Sequence, residues 1–152
     1  MLPNCLRHPL HGLTAAIVIL CAQSTGAAAN ILEFRCYFDS GSAAVTPRCH
    51  KMMQEAAEYI RAVRSGDMTS LHRPRRAPYP LRIEIIGHAD DPGDSQEQFR
   101  LGLLRAQSLA QELRSFVIPP EIITTTSVGN TAPENPTATL SPENRFAHLS
   151  LR

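Results

Sequence analysis

Two stretches of helical periodicity, each closed by glycine or proline, alternate with short β-branched segments. That alternation leaves few architectures open to this chain. Thr46 and Pro47 open the first stretch as N-cap and first helical residue. Met53, Ala56, Ala57, Ile60 and Val63 then recur at helical spacing, and the pattern ends near Arg64, Ser65 and Gly66. The second stretch runs from Ser95 to Phe116 and is stopped by Pro119 and Pro120. Phe99, Leu103, Ala106, Leu109, Ala110 and Leu113 read as its buried side.

Four strand-like segments surround these helices. They are Ile31–Phe38, Leu81–Ile86 ending at Gly87, Glu121–Val128, and Arg145–Leu151. In the last, Ala147, Leu149 and Leu151 alternate inward against an outward His148 and Ser150. Turn chemistry separates them at 39–42 and 90–95, and loops rich in proline cover 67–80 and 129–142. The order predicts an α/β fold, an α+β two-layer sandwich of β-α-β-α-β-β type with two helices packed on one mixed sheet. At 152 residues the chain accommodates one such domain.

The first 29 residues differ in character. Arg7 and His8 precede the apolar run Leu13 to Ala22, and Ala27, Ala28 and Ala29 form a small-residue cleavage site before Asn30. The run is shorter than the roughly 20 residues that span a bilayer. Cys21 follows Leu20, which does not suit a lipoprotein cleavage site. Residues 1–29 are therefore read as a signal peptide and 30–152 as the exported domain. Export leaves Cys36 and Cys49, which are expected to pair in an oxidising compartment. Two free thiols, or a metal pair with His50 as a third ligand, are the alternatives. All 14 acidic residues lie after residue 30, balanced there by 13 Arg and one Lys. A neutral domain of this kind excludes nucleic-acid binding by bulk phosphate attraction. Arg73, Arg75 and Arg76 in the 67–80 loop read as a solvated charge run.

Gly87, His88, Ala89 and Asp90, then Gly93, Leu101, Arg105 and Ala106, resemble the signature of the OmpA C-terminal-like family. That signature is Gly-His-(Thr or Ala)-Asp, a Gly three residues on, and a helix carrying Leu and then Arg-Ala. Arg105 follows Asp90 by the family's 15 positions. Phe38 to Ser42 before the proline-started helix, Gly129 with Pro133, and Asn144 with Arg145 match its flanking elements. The resemblance spans residues 31–152. The chain departs from the pattern at Gln98 (usually Asn), Gly102 (Ser), Asn130 (Glu) and Phe146 (Arg), and the two cysteines and the 67–80 loop are additions.

The resemblance implies non-catalytic binding of peptidoglycan through the diaminopimelate of its stem peptide. It places the protein in the periplasm, at the cell wall and outer membrane, with no cofactor or metal. The implied site residues are Asp90, Arg105, Gln98, Ala89 and Arg145. The free end of diaminopimelate is zwitterionic, so its recognition calls for an anion beside a cation. Asp90 offers a carboxylate, and Arg105 a planar fork suited to a carboxylate ligand. Taken alone, Asp90 also fits a turn cap, with Asp94 or Ser95 as the helix N-cap, and Arg105 fits a surface pair with Glu97 or Glu112. His88 reads as a packed, hydrogen-bonded residue. Two other functions compete with this one. A metal-dependent hydrolase on His88, Asp90, Asp91 and Asp94 lacks a second ligand cluster. An envelope or secretion-complex interaction module would keep the fold without wall binding, as the changes at Asn130 and Phe146 suggest.

Overall fold

The computed structural model describes residues 32–67, 69, 81–91, 93–136 and 140–152. The signal-peptide reading, the start of the first strand at Ile31 and nearly all of the 67–80 loop lie outside these residues. The elements are β1 (Glu33–Tyr37), α1 (Pro47–Ser65), β2 (Ile83–His88), α2 (Ser95–Ser115), β3 (Ile123–Gly129) and β4 (Phe146–Leu151). Short 3-10 turns at Pro120–Ile122 and Pro142–Asn144 lead into the last two strands. The strands form one sheet in the order β1-β4-β2-β3. β2 and β3 are parallel, and β4 runs antiparallel to both β1 and β2. The mixed two-layer sandwich expected from the sequence is the fold.

Strand alternation sorts the two faces of the sheet. Ala147 lies opposite Cys36, Leu149 opposite Phe34 and Ile85, and Leu151 opposite Ile83. All of these join the core with Met53, Ala56, Ala57 and Ile60 of α1 and Ala106, Leu109, Ala110 and Leu113 of α2. Burying each large aliphatic side chain contributes roughly 1.5–3 kcal/mol. A disulfide joins Cys36 of β1 to Cys49 in the first turn of α1, and both residues are buried. Thr46 caps α1 by accepting from the Cys49 N–H, behind Pro47. Asp94 caps α2 in a capping box closed by Glu97.

The packing of α2 departs from the periodicity read in the sequence. Phe99 is 48% exposed, not buried, and Leu103 is only partly covered. The buried stripe runs through Gln98, Gly102, Arg105, Ala106, Leu109 and Leu113. In the first half of the helix, polar and small residues occupy the inner face, because that half serves the loops and a close crossing over β2. A methyl group on Gly87 would lie 1.7 Å from the Gly102 carbonyl oxygen, and one on Gly102 would lie 2.3 Å from Ser127 Oγ. Gly102 thus lets α2 sit directly on the sheet. Ser127 supplies a hydroxyl there, donating to the Gly87 carbonyl and accepting from the Gly129 N–H.

The C-terminus of α2 uses an unusual residue. The Val117 N–H donates to the Arg114 carbonyl and the Ile118 N–H to the Leu113 carbonyl, a Schellman closure that anchors the buried Ile118. Val117 holds the left-handed position at φ 65° and is 82% exposed. A β-branched residue is strained there by roughly 1–2 kcal/mol. Val117→Gly is therefore expected to raise the melting temperature, with a gain of about 1 kcal/mol in urea unfolding. Reducing the Cys36–Cys49 bridge is expected to lower stability by about 3 kcal/mol. Urea titrations with and without a thiol reductant measure that difference.

Candidate ligand-binding site

The C-terminal ends of β1, β2 and β3 lie at one edge of the sheet, where β4 begins. Three connections meet there: β1 to α1, β2 to α2, and β3 to β4. Arg105 of α2 ties the first two together, and Asp90 holds the third. Arg105 is 0% exposed, the largest fully buried side chain among the described residues. Its Nε donates to the Ser42 carbonyl at 2.9 Å, Nη1 to the His88 carbonyl at 2.9 Å, and Nη2 to the Asp39 carbonyl at 3.1 Å. Nη2 also lies 2.9 Å from Oδ2 of Asp91, and the guanidinium stacks 5.5 Å from the Phe38 ring centroid. Burial pushes the Arg105 pKa below its usual value, and Asp91 pulls it back up. The group stays charged.

Asp91, which the sequence left in a turn, is the counter-ion. Its Oδ1 accepts from the Ser40 hydroxyl at 2.9 Å and the Gly41 N–H at 2.6 Å. Its own N–H donates to Oε1 of the buried Gln98 at 3.1 Å. Asp90 faces the other way. Its Oδ2 accepts from the Ser141 N–H at 2.8 Å and Nδ2 of Asn144 at 2.9 Å. Partial burial raises the Asp90 pKa, but Asn144, the backbone of Ser141 and Leu140, and the Arg145 charge outweigh it and hold the carboxyl below its usual range. Ala89 is buried, its N–H donating to the Gly129 carbonyl beside an irregularity in the β2–β3 register. Arg145 is partly exposed and donates from Nη1 to the Leu140 carbonyl.

All five residues singled out in the sequence thus belong to one loop cluster. Arg105 pairs with Asp91 instead of Asp90, and Asp90 secures the segment leading into β4. Neither Glu97 nor Glu112 is a partner of Arg105: Glu97 closes the capping box and Glu112 contacts His50. Two clefts flank the cluster. One, of about 490 Å³, is lined by Ser40, Gly41, Asp91, Gln98, Leu101 and Leu104, with Glu97 and Arg100 beside them. The other, of about 420 Å³, runs past Tyr37, Asp39, Glu143 and Arg145. Asp91 and Asn144 were the functional candidates that sequence reasoning under-weighted. Adjacent aspartates in a turn carry no sign of which one points inward.

His88, Asp90, Asp91 and Asp94, the possible metal set, are spread over separate tasks. His88 stacks on Phe146 at 4.0 Å, and its Nδ1 contacts the Ala132 carbonyl at 3.1 Å. Asp91 neutralises Arg105, Asp90 holds Ser141 and Asn144, and Asp94 caps α2. Among the described residues, no group of three or more His, Cys, Asp or Glu is placed to hold a metal ion. Phe146 is buried between His88 and Arg35, whose guanidinium carbon lies 4.7 Å from its ring centroid.

The site and fold define a small α/β module built around a buried arginine, and comparison with known proteins identifies its family. The sequence profile of the OmpA family matches residues 37–146, so the chain belongs to the OmpA family. No curated protein sequence matches significantly. Among solved structures, the chain is similar to the peptidoglycan-associated lipoprotein from Burkholderia pseudomallei, with 22% identity and a TM-score of 0.64. That match covers 78% of this chain and 89% of the other. The OmpA-like domain of FopA1 from Francisella tularensis subsp. tularensis SCHU S4 matches with 15% identity, a TM-score of 0.64, and coverage of 80% and 75%. The C-terminal domain of Helicobacter pylori MotB matches with 18% identity, a TM-score of 0.62, and coverage of 78% and 84%.

Removing Arg105 leaves Asp91 buried without its counter-ion, and such losses cost about 3–5 kcal/mol. Arg105→Ala is expected to show that loss in urea unfolding. Arg105→Lys is expected to recover little of it, because one ammonium cannot span four acceptors. A second prediction concerns pH. Burial pushes His88 down from 6.5 to about 4, helped by the neighbouring His148 and Arg35 charges and opposed by the Ala132 carbonyl and Glu134. Between those values the folded state binds fewer protons than the unfolded chain. Stability is therefore complete above pH 6.5 and falls as the pH drops toward 4. Melting temperatures across that range are expected to decline, and His88→Gln to flatten the decline.

Proposed function

We propose that this protein binds peptidoglycan without catalysis, through the diaminopimelate of the stem peptide, in the periplasm at the cell wall. The carrying observation is the loop cluster that Arg105 assembles at the strand ends, with the half-buried Asp90 carboxylate on one side and two clefts around it. Membership of the OmpA family and likeness to a peptidoglycan-associated lipoprotein support the reading. In it, Asp90 receives the ligand ammonium and Arg105 supplies positive charge beneath the cluster. Gln98 and Ala89 form the floor, and Arg145 stands at the second cleft. A charge-assisted hydrogen bond contributes roughly 1.5–3 kcal/mol, so a few of them give micromolar-range attachment after the association cost. Weak single contacts suit a polymer that presents many copies of the ligand.

A second reading is favoured by one observation: the Arg105 donors are engaged by protein groups, and Phe146 replaces a charge with a buried ring. In this reading the domain is an interaction module of an envelope complex that keeps the fold without wall binding. Co-sedimentation with purified sacculi separates the two. Wild type is expected to pellet, and Asp90→Ala to lose about tenfold in apparent affinity, equivalent to about 1.4 kcal/mol. A wild-type protein that stays in the supernatant, folded by its melting curve, rejects wall binding in favour of the interaction module.

A further inference from the structure

We infer that Asp91 is the specificity-determining residue of this site and selects an ammonium-bearing carbon whose carboxylate is blocked as an amide over the free zwitterion. The inference rests on the peptidoglycan reading above and deepens it. A site for a free amino-acid end seats the ligand carboxylate on a guanidinium fork and on nearby N–H or O–H donors. Here that seat is filled from within. Asp91 contacts Arg105 Nη2 through Oδ2 at 2.9 Å, while Ser40 Oγ and the Gly41 N–H donate to Oδ1. The two side chains are 0% and 3% exposed, so the pair is shielded from water. Asp91 thus occupies, with the same chemistry, the place where a ligand carboxylate would bind.

The consequence is electrostatic. A free ligand carboxylate at this cleft must either displace Asp91 from Arg105 or lie against the Asp91 and Glu97 carboxylates, with only the solvent-exposed Arg100 among the lining residues as a cation. Displacement costs a buried, charge-assisted set of contacts that only a better-placed carboxylate recovers. An amide meets no such repulsion, and its N–H donors suit carboxylate and carbonyl acceptors. Asp90, the adjacent residue outside this cleft, is partly exposed and held ionised, and remains to receive the ammonium. The cleft of about 490 Å³ that borders Asp91 offers Gln98 for further hydrogen bonds and Leu101 and Leu104 for apolar contact.

Isothermal titration of the whole protein with meso-diaminopimelate and with its monoamide tests this directly. Wild type is expected to bind the monoamide at least fivefold more tightly than the free form. Asp91→Asn leaves Arg105 without a counter-ion, and is expected to reverse the order, with the free form gaining about tenfold. Free diaminopimelate, and acetate at higher concentration, are expected to raise the melting temperature of Asp91→Asn and not that of wild type. Should Asp91→Asn fail to fold, Ser40→Ala, which removes one donor to Asp91 and keeps the ion pair, is expected to shift preference in the same direction by a smaller factor. Wild type that pellets with sacculi yet prefers the free form overturns the role of Asp91 and leaves wall binding standing. So does an Asp91→Asn or Ser40→Ala protein with unchanged preference. Absence of binding to either probe and to sacculi, by a folded wild type, overturns both.

Discussion

A guanidinium can leave water only where its N–H groups meet acceptors and its charge meets a counter-ion, and Arg105 meets both conditions with four acceptors drawn from two stretches of chain, 39–42 and 88–91. Carbonyls from Asp39 and Ser42, the carbonyl of His88 and the carboxylate of Asp91 converge on it from two connections and a strand end. None of those backbone carbonyls is held in this way by sheet or helix geometry alone. Two of the three connections at this edge take their shape from one side chain, and Asp90 secures the third.

That demand propagates into the helix that carries Arg105. Placing a long polar side chain on the inner face excludes bulky apolar neighbours from the same half of α2. Gln98 and Gly102 complete that half, and the apolar stripe resumes at Ala106 and Leu109. Gly102 against Gly87 brings α2 close enough for Arg105 to reach the His88 carbonyl. Phe99, displaced from the stripe, is left half in solvent. The opposite face of the sheet is organised differently, by rings: His88, Phe146 and His148 cluster there with Arg35, which pairs with Glu33 and Glu134. Burial keeps His88 neutral there, and His148 is shifted downward by the same cause.

Local chemistry made much of the architecture legible in advance. Thr46 and Pro47 opened α1, Asp94 capped α2, Pro119 and Pro120 separated α2 from β3, and the alternation in β4 placed Ala147, Leu149 and Leu151 in the core. Each signal acts within a few residues, through φ restriction, capping hydrogen bonds or strand alternation. The outward assignment of Ser150 was only half right: it is on the far face, yet buried. Phe99 is hydrophobic yet lies off the inner face, which Arg105 occupies.

The sequence by itself determined the order of elements, the α+β two-layer class, the expectation that Cys36 pairs with Cys49 and five of the residues that gather at the site. Those follow from periodicity, turn chemistry, a compartment rule and a family signature, all readable along one dimension. Only the tertiary structure decided which aspartate serves Arg105. Asp90 and Asp91 have the same side chain and adjacent positions. Their roles diverge because the chain turns between them, sending Asp91 toward Ser40, Gly41 and Arg105 and Asp90 toward Ser141 and Asn144. The choice of partner is a matter of distance between segments about 50 residues apart, and such distances exist only once the chain has folded.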